Sequence, residues 1–384
     1  MKKVITWMKK EVVLVVAWIL ASISAFFVVP DKQYLNYVDF RTLALLFCLM
    51  CVMAGLQKLG VFQWIAEGLL SKVKNIGQLL LILILLCFFF GMFITNDVAL
   101  IVFVPFTITV LGLAGQEKRE KLLIPIVVMQ TIAANLGSML TPIGNPQNMY
   151  LCNEAGLGLV EFIMLMLPYS FLSLVLLVVW GLLKGRKCKE SLKVTFTERT
   201  NLSGKWPIVG IYLLLFILCL LTVAKVLPYL WVFAAVILVV FLVDKRVLLA
   251  VDYSLLFTFL GFFIFTGNIG RIPQIANILE SLINGQEMLT TIVACQVMSN
   301  VPAAILLSGF AQNSKVLIIA VNLGGLGTLI ASMASLISYK YIVRVEGVKK
   351  GTYLLQFTLA SICFLAALVV LYMLSGEAFL RMYS

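Results

Sequence analysis

The sequence predicts an all-α polytopic membrane protein, built as an inverted-topology repeat with two opposed re-entrant hairpins and broken helices. Three observations carry that prediction. Of 384 residues, 62% are hydrophobic and only 12% are charged. Runs such as Val12–Val29, Leu159–Leu183 and Tyr353–Leu374 are long enough to cross a bilayer, which takes about 20 residues. Asparagine-centred breaks interrupt the apolar segments in both halves. The first half has Thr95-Asn96-Asp97 and Asn135-Leu136-Gly137; the second has Ser299-Asn300-Val301 and Asn322-Leu323-Gly324. Hydrocarbon cannot satisfy exposed amides, so such breaks persist only where protein or a wet cavity supplies partners.

Composition narrows the class further. At a mean hydropathy of +1.09, a soluble fold would expose too much apolar surface. The net charge of +12 does not indicate nucleic acid, because Lys and Arg sit in short loops, where they orient those loops toward the cytoplasm. Met1–Lys10 holds four lysines ahead of an apolar run reaching Val29, with no small-residue cleavage site. An uncleaved first span and a cytoplasmic N-terminus follow, in a multi-pass protein of the cytoplasmic (plasma) membrane. Of eight cysteines, Cys48, Cys51, Cys87, Cys219, Cys295 and Cys363 lie in apolar segments and read as small core residues. Cys48 and Cys51 form a Cys-x-x-Cys pair, but no second pair and no histidine accompany it, so neither a metal nor a redox motif follows. No cofactor and no structural disulfide are expected.

Charge placement orders the elements. Residues 1–40 hold the N-terminal span (12–30) and a charge-balanced outer loop, Asp31–Asp39. The first repeat, 41–183, begins with a span over 41–57 that returns to the cytoplasmic Lys58, Lys72 and Lys74. Segment 78–114 enters and leaves on that face, with Thr95-Asn96-Asp97 at its turn. A broken span over 122–150 leads out, and 160–183 leads back. Residues 184–206 form a basic cytoplasmic linker with seven Lys and Arg against Glu190 and Glu198. Connecting spans fill 207–250, paired around Pro228. The second repeat, 251–384, runs outward over 252–268, forms an outer-face hairpin over 288–311, returns through 316–339 and ends in a span over 353–376.

The halves resemble each other in a fixed order. Arg41-Thr42-Leu43-Ala44-Leu45-Leu46-Phe47 resembles Val251-Asp252-Tyr253-Ser254-Leu255-Leu256-Phe257. Leu59-Gly60 with Ile65-Ala66 resembles Ile269-Gly270 with Ile275-Ala276, and Thr95-Asn96 matches Ser299-Asn300. Asn135-Leu136-Gly137 with Thr141 and Ile143 matches Asn322-Leu323-Gly324 with Thr328 and Ile330. The first copy enters from outside and the second from inside, which defines an inverted-topology repeat. In the second hairpin each arm is about ten residues, so it reaches only about 15 Å, half the hydrocarbon thickness.

Several residues are candidates for chemistry. Asp97 is the one acidic residue well inside an apolar segment; a mid-membrane carboxylate costs several kcal/mol unless paired, protonated or holding a cation. A simpler role, capping the helix from Val98, is compatible with that. Asn96 and Asn300 sit at the hairpin tips and offer donor and acceptor groups. In the segment from Asn135 to Asn148, Pro142, Gly144 and Pro146 break the helix. Its free carbonyls suit a cation such as sodium and its free N–H groups an anion. Asn322–Thr328 is the counterpart. The absence of histidine excludes a catalytic triad and a His proton relay, and no Walker pattern occurs.

These residues resemble the ion transporter superfamily with a citrate-transporter-like domain, which includes divalent anion:sodium symporters, arsenite permeases and a class of sodium/proton antiporters. The resemblance spans about 15–380. Asp252-Tyr-Ser-Leu-Leu-Phe with Gly261 and Gly267, Thr95-Asn96-Asp97 and, most specifically, Asn135–Asn148 carry it. It implies a homodimer with separate scaffold and transport parts, and opposed hairpins whose tips meet broken helices at the site. Divalent anion symporters carry Ser-Asn-Thr at the tips; here the third positions are Asp97 and Val301, closer to the arsenite-permease and antiporter side. The expectation is a secondary active transporter, not an enzyme, for a small citrate- or dicarboxylate-like anion or an arsenite-like oxyanion. Coupling is to sodium or protons; a sodium/proton antiporter is the alternative, and a passive channel stands behind both. Thr95, Asn96, Asp97, Asn135, Gly137, Thr141, Gly144, Asn145, Ser299, Asn300, Asn322, Gly324 and Thr328 are expected to line the site. Sodium, where it is the coupling ion, is expected near Asn96, Asp97, Asn135, Asn300 and Asn322.

Overall fold

The computed structural model describes residues 11–113, 116–186 and 200–381. The lysine-rich Met1–Lys10, Cys188 and residues 187–199 of the expected linker lie outside the described residues. The described chain is all-helical. In order the helices are α1 (Val12–Phe27), α2 (Tyr34–Tyr37), α3 (Phe40–Leu59), α4 (Val61–Leu70), α5 (Ile76–Ile94), α6 (Asn96–Leu113), α7 (Gln116–Ser138), α8 (Pro146–Glu154) and α9 (Leu159–Gly185). There follow α10 (Trp206–Val223), α11 (Tyr229–Asp244), α12 (Tyr253–Gly270), α13 (Pro273–Ile283), α14 (Glu287–Met298), α15 (Asn300–Ser308), α16 (Ser314–Gly324), α17 (Met333–Ile342) and α18 (Lys350–Arg381). Among the described residues, seven helices are long and apolar enough to cross a membrane: α3, α5, α7 from Arg119, α9, α10, α12 and α18 to Leu374.

Two series of elements follow the same order. Each opens on a helix capped by an aspartate: Asp39 accepts from the Thr42 N–H and Asp252 from the Leu255 N–H, both at 3.0 Å, so the counterpart of Asp252 is Asp39 and not Thr42 as the sequence match had it. A short amphipathic helix follows, α4 or α13. Two arms then meet at a residue with positive φ, Thr95 at 73° and Ser299 at 75°. Next come a helix, a 3-10 turn (Pro142–Gly144 or Leu329–Ala331), a short helix and a long final helix. Neither Thr95 nor Ser299 is glycine, so both tips carry backbone strain of the kind that surrounding structure must hold in place.

Helix length bears on the hairpins. Arms α14 and α15 have 12 and 9 residues, about 18 and 14 Å, too short to cross. Arms α5 and α6 have 19 and 18 residues, about 27–28 Å each, near the full hydrocarbon thickness. Both tips line one cavity, so the longer arms must tilt or protrude.

Sequence reading left 58–74 and 269–287 without helix, whereas α4 and α13 occupy most of them. Ten or eleven residues cannot form a span, and their apolar positions repeat on one face only: Val61, Phe62, Ala66 and Leu70 are the buried apolar residues of α4. That stripe is the mark of a helix lying at a surface.

Packing places α5 at the centre, against α7, α6 and α9. Glycine allows the closest approach: a Cβ on Gly137 would lie 1.9 Å from the Phe88 carbonyl oxygen, and one on Gly91 2.9 Å from that of Ala134. The N-terminal α1 packs on α12. Trp18 donates to the Phe257 carbonyl at 3.1 Å, and Asn268 donates to Ser24 Oγ at 3.0 Å. At the end of α12, Arg271 pairs with Asp31 at 2.9 Å; hydrogen bonding from that guanidinium holds the exposed Asp31 carboxyl below its ordinary value.

Gly137→Ala is expected to lower the thermal stability of detergent-solubilised protein by at least the 1–3 kcal/mol typical of overpacking, roughly. Gly68→Ala, where an added Cβ meets nothing within 4 Å, should leave the melting temperature unchanged. Fluorescence-detected size exclusion after heating checks both.

Candidate functional site

Helices interrupted inside a membrane leave backbone groups at their new ends. Here the starts of all four broken helices border one cavity of about 310 Å³. Asn96 and Asp97 come from α6, Pro146 and Gln147 from α8, Asn300, Val301 and Pro302 from α15, and Ser332 and Met333 from the start of α17. Leu336, Ile337 and Lys340 continue along α17, while Asp252 and Glu11 enter at the starts of α12 and α1. Each helix start carries about half a positive charge. The acids Glu11 and Asp252 stand at the cap positions of their own helices and offset those dipoles. Of the four broken starts, only α6 carries an acid, Asp97. The starts of α8, α15 and α17, with Lys340, therefore leave a surplus of positive potential, which suits an anion.

A buried amide network holds these ends in register. Asn96 Nδ2 donates to Asn135 Oδ1 at 2.9 Å, and Ser332 Oγ donates to the same oxygen at 3.0 Å. Asn135 Nδ2 reaches Ser335 Oγ at 3.4 Å. On the other side, Asn322 Nδ2 donates to Asn148 Oδ1 at 2.7 Å and to the Ile318 carbonyl at 2.8 Å. Asn148 Nδ2 in turn caps the Ser138 and Thr141 carbonyls at 3.3 and 3.2 Å. Each series thus lends an asparagine (Asn135, Asn322) to the short helix of the other.

The residues expected at the site play different parts. Asn96, Asp97 and Asn300 line the cavity. Asn135, Asn322, Thr141, Ser299 and Thr328 serve the bonding around it: Thr141 Oγ1 donates to the Met92 carbonyl, Ser299 Oγ to Asn300 Oδ1 at 3.4 Å, and the Thr328 N–H to Gln296 Oε1 at 2.8 Å. Gly137, Gly144 and Gly324 provide close approach instead, a Cβ at Gly144 falling 2.1 Å from the Ser138 oxygen and one at Gly324 2.7 Å from Cys295 Sγ. Thr95 forms the strained tip, and its hydroxyl accepts from the Val98 N–H at 3.5 Å. The helix start is served by Thr95 and by Asn96, whose Oδ1 accepts from the Asp97 N–H at 2.9 Å. Asp97 is free of capping duty.

Four buried polar atoms in this region have no partner: Asp97 Oδ1, Asn145 Oδ1, Asn322 Oδ1 and Gln147 Nε2. An unsatisfied buried group costs about 1–3 kcal/mol, so each of these atoms calls for a partner. No group of three or more Cys, Asp or Glu among the described residues could hold a metal ion; a cation would rest on Asp97 with amide and backbone oxygens. Sequence reading missed Gln147, Asn148, Ser332, Ser335, Asp252 and Lys340. A signal existed for some of them: Asn145 and Ser332, like Asn148 and Ser335, lie 187 positions apart, as do Asn135 and Asn322.

Comparison with known proteins decides the family. The citrate transporter family matches residues 4–316. The chain belongs to the citrate transporter family. It is 32% identical over 329 residues to the inner membrane protein YbiR of Escherichia coli, covering 84% of this chain and 86% of that protein. An uncharacterized transporter of Methanocaldococcus jannaschii is 30% identical over 344 residues, covering 90% of this chain and 91% of its own. A putative transporter, arsB, of Dictyostelium discoideum is 22% identical over 179 residues, covering 46% and 31%. The protein is therefore a multi-pass membrane transporter and not an enzyme.

Asn135→Ala removes the acceptor shared by Asn96 and Ser332. Two buried donors lose their partner, at about 1–3 kcal/mol each, so this transporter should melt several degrees lower in detergent and lose uptake in vesicles.

Proposed function

We propose that this transporter is a secondary carrier of a small anion across the cytoplasmic membrane, coupled to sodium or protons at Asp97. The observation that carries the reading is the meeting of four broken-helix starts at one cavity that also holds Asp97, whose Oδ1 lacks a partner. The anion, citrate- or dicarboxylate-like or an arsenite-like oxyanion, sits against the starts of α8, α15 and α17, with the Gln147 amide as a further donor. The coupling cation or proton takes the unpaired oxygen of Asp97, with Asn96, Asn135, Asn300 and Asn322 near it. Thr95, Thr141, Gly144, Asn145, Ser299, Gly324, Thr328 and Gly137 hold that geometry.

In the same proposal, 41–183 and 251–384 are repeats of opposite orientation. The hairpins α5–α6 and α14–α15 enter from opposite faces, and 207–250 connects the repeats. The matching order of elements and the shared tip backbone at Thr95 and Ser299 support this. A homodimer is included on the strength of the family resemblance.

One observation favours the sodium/proton antiporter as a second reading: Asp97, Asp252 and Glu11 line the same cavity. Internal pH in proteoliposomes after an external sodium jump, with no anion present, separates the two. A pH change that vanishes in Asp97→Asn establishes the antiporter; silence, followed by anion-dependent uptake, establishes the anion carrier. Under the anion reading, Asp97→Asn abolishes coupled uptake while leaving the melting temperature unchanged. Gln147→Ala raises KM for the anion about tenfold, the loss of one hydrogen bond to a charged group.

A further inference from the structure

The repeat register extends to positions that no site assignment includes. Asn135 and Asn322, Thr141 and Thr328, Asn145 and Ser332, and Asn148 and Ser335 are each 187 positions apart. The same spacing pairs Tyr150 with Ile337 and Asn153 with Lys340. In α8, Asn153 Nδ2 donates to Asp39 Oδ2 at 2.7 Å, and Asp39 is the cap of α3, the leading helix of its series. In the other series the leading helix α12 is capped by Asp252, with backbone angles of −77° and 83° against −78° and 84° at Asp39. Lys340 and Asp252 both line the 310 Å³ cavity, yet neither takes part in an ion pair with the described residues.

One layer closer to the centre the contrast repeats. Tyr150 OH bonds to Ser308 Oγ at 2.8 Å, and its ring packs 5.3 Å from that of Phe263 and 6.4 Å from that of Phe259. The Ile337 side chain at the matching place borders open cavity. Helix α8 packs against α3, so one mouth of the site is shut by an aspartate and its facing residue. At the other mouth the equivalent residues stand apart.

We infer that Lys340 and Asp252 are the gate of the inner mouth, and that they meet as an ion pair when the site opens outward and Asn153 leaves Asp39. The inference rests on the opposed orientation of the repeats proposed above. If the repeats exchange their arrangements, α17 approaches α12 as α8 now approaches α3. Lys340 then reaches Asp252 from the position at which Asn153 reaches Asp39. The chemistry differs in a useful way: the outer contact is a neutral amide on a carboxylate, the inner one a full ion pair. Breaking either partner should bias the transporter toward the arrangement seen here, which the proposed orientation makes inward-open.

The labelling readout needs no cargo. Leu336→Cys, which lines the cavity, is made with Cys188 and Cys363 replaced by Ser, and its labelling by an impermeant maleimide is timed in inside-out vesicles. Lys340→Met and Asp252→Asn, the latter keeping the cap acceptor, should each label several-fold faster than the parent. Lys340→Arg should label at the parental rate, and the exchange Lys340→Asp with Asp252→Lys should return toward it. Parental rates in both single variants overturn the gate, as does an exchange that labels as fast as the single variants although folded. If Lys340→Met raises KM for an anion with labelling unchanged, Lys340 holds cargo and the gate is overturned. Labelling of Leu336→Cys from the outer face alone overturns the orientation of the repeats, and the gate with it. Failure of the anion assignment would leave the labelling results untouched.

Discussion

A helix broken inside hydrocarbon must have its severed backbone groups satisfied by protein, because lipid offers none. The rest of this architecture follows from that constraint. The chain breaks at Thr95 and Ser299, and again after Ser138 and Gly324. Asparagine is the side chain that answers it, being short and able to donate and accept at once. Asn135 joins α7 to α6 and to the far series through Ser332 and Ser335. Asn322 joins α16 to α8 through Asn148. Neither half of the cavity can be completed without residues of the other half, so the two series behave as one unit around the site.

The same constraint sets the electrostatics. Ends that cannot be hydrated are drawn together, and their dipoles add. Placing Asp97 on one of four such starts gives the cavity both signs of potential within a small volume. Under the proposed reading, a co-transported pair of opposite charge is stabilised there more than either ion alone, which would be the physical basis of coupling.

Much of this was legible in the chain because polar breaks in apolar runs are costly and therefore conspicuous. Asn96, Asn135, Asn300 and Asn322 announced themselves by residue type and by their order. The 3-10 turns at Pro142–Gly144 and Leu329–Ala331 fall in segments already read as broken. What was not legible depends on tertiary placement. Lys340 lies just past the segment read as 316–339, Asp252 stood out only in the repeat match and the family resemblance, and only packing brings the two to the cavity. Gly137, Gly144 and Gly324 read as lining the site, whereas the distances show close approach, of backbone at Gly137 and Gly144 and of the Cys295 side chain at Gly324. Helices α4 and α13 escaped because a ten-residue apolar stripe looks like neither span nor regular loop.

Lys340 is the single lysine or arginine among the described residues lining the cavity; the rest of the positive potential comes from helix starts, with the amide of Gln147 beside them. A guanidinium fork would grip an anion in two strong hydrogen bonds. A carrier is limited by how fast it lets go, and each 1.4 kcal/mol of excess grip lengthens residence about tenfold. Backbone dipoles spread over several helices fade together when one helix start moves away. Under the proposed reading, a site assembled from severed helix ends would be dismantled by the same motion that opens it, so its affinity would fall at the moment of release.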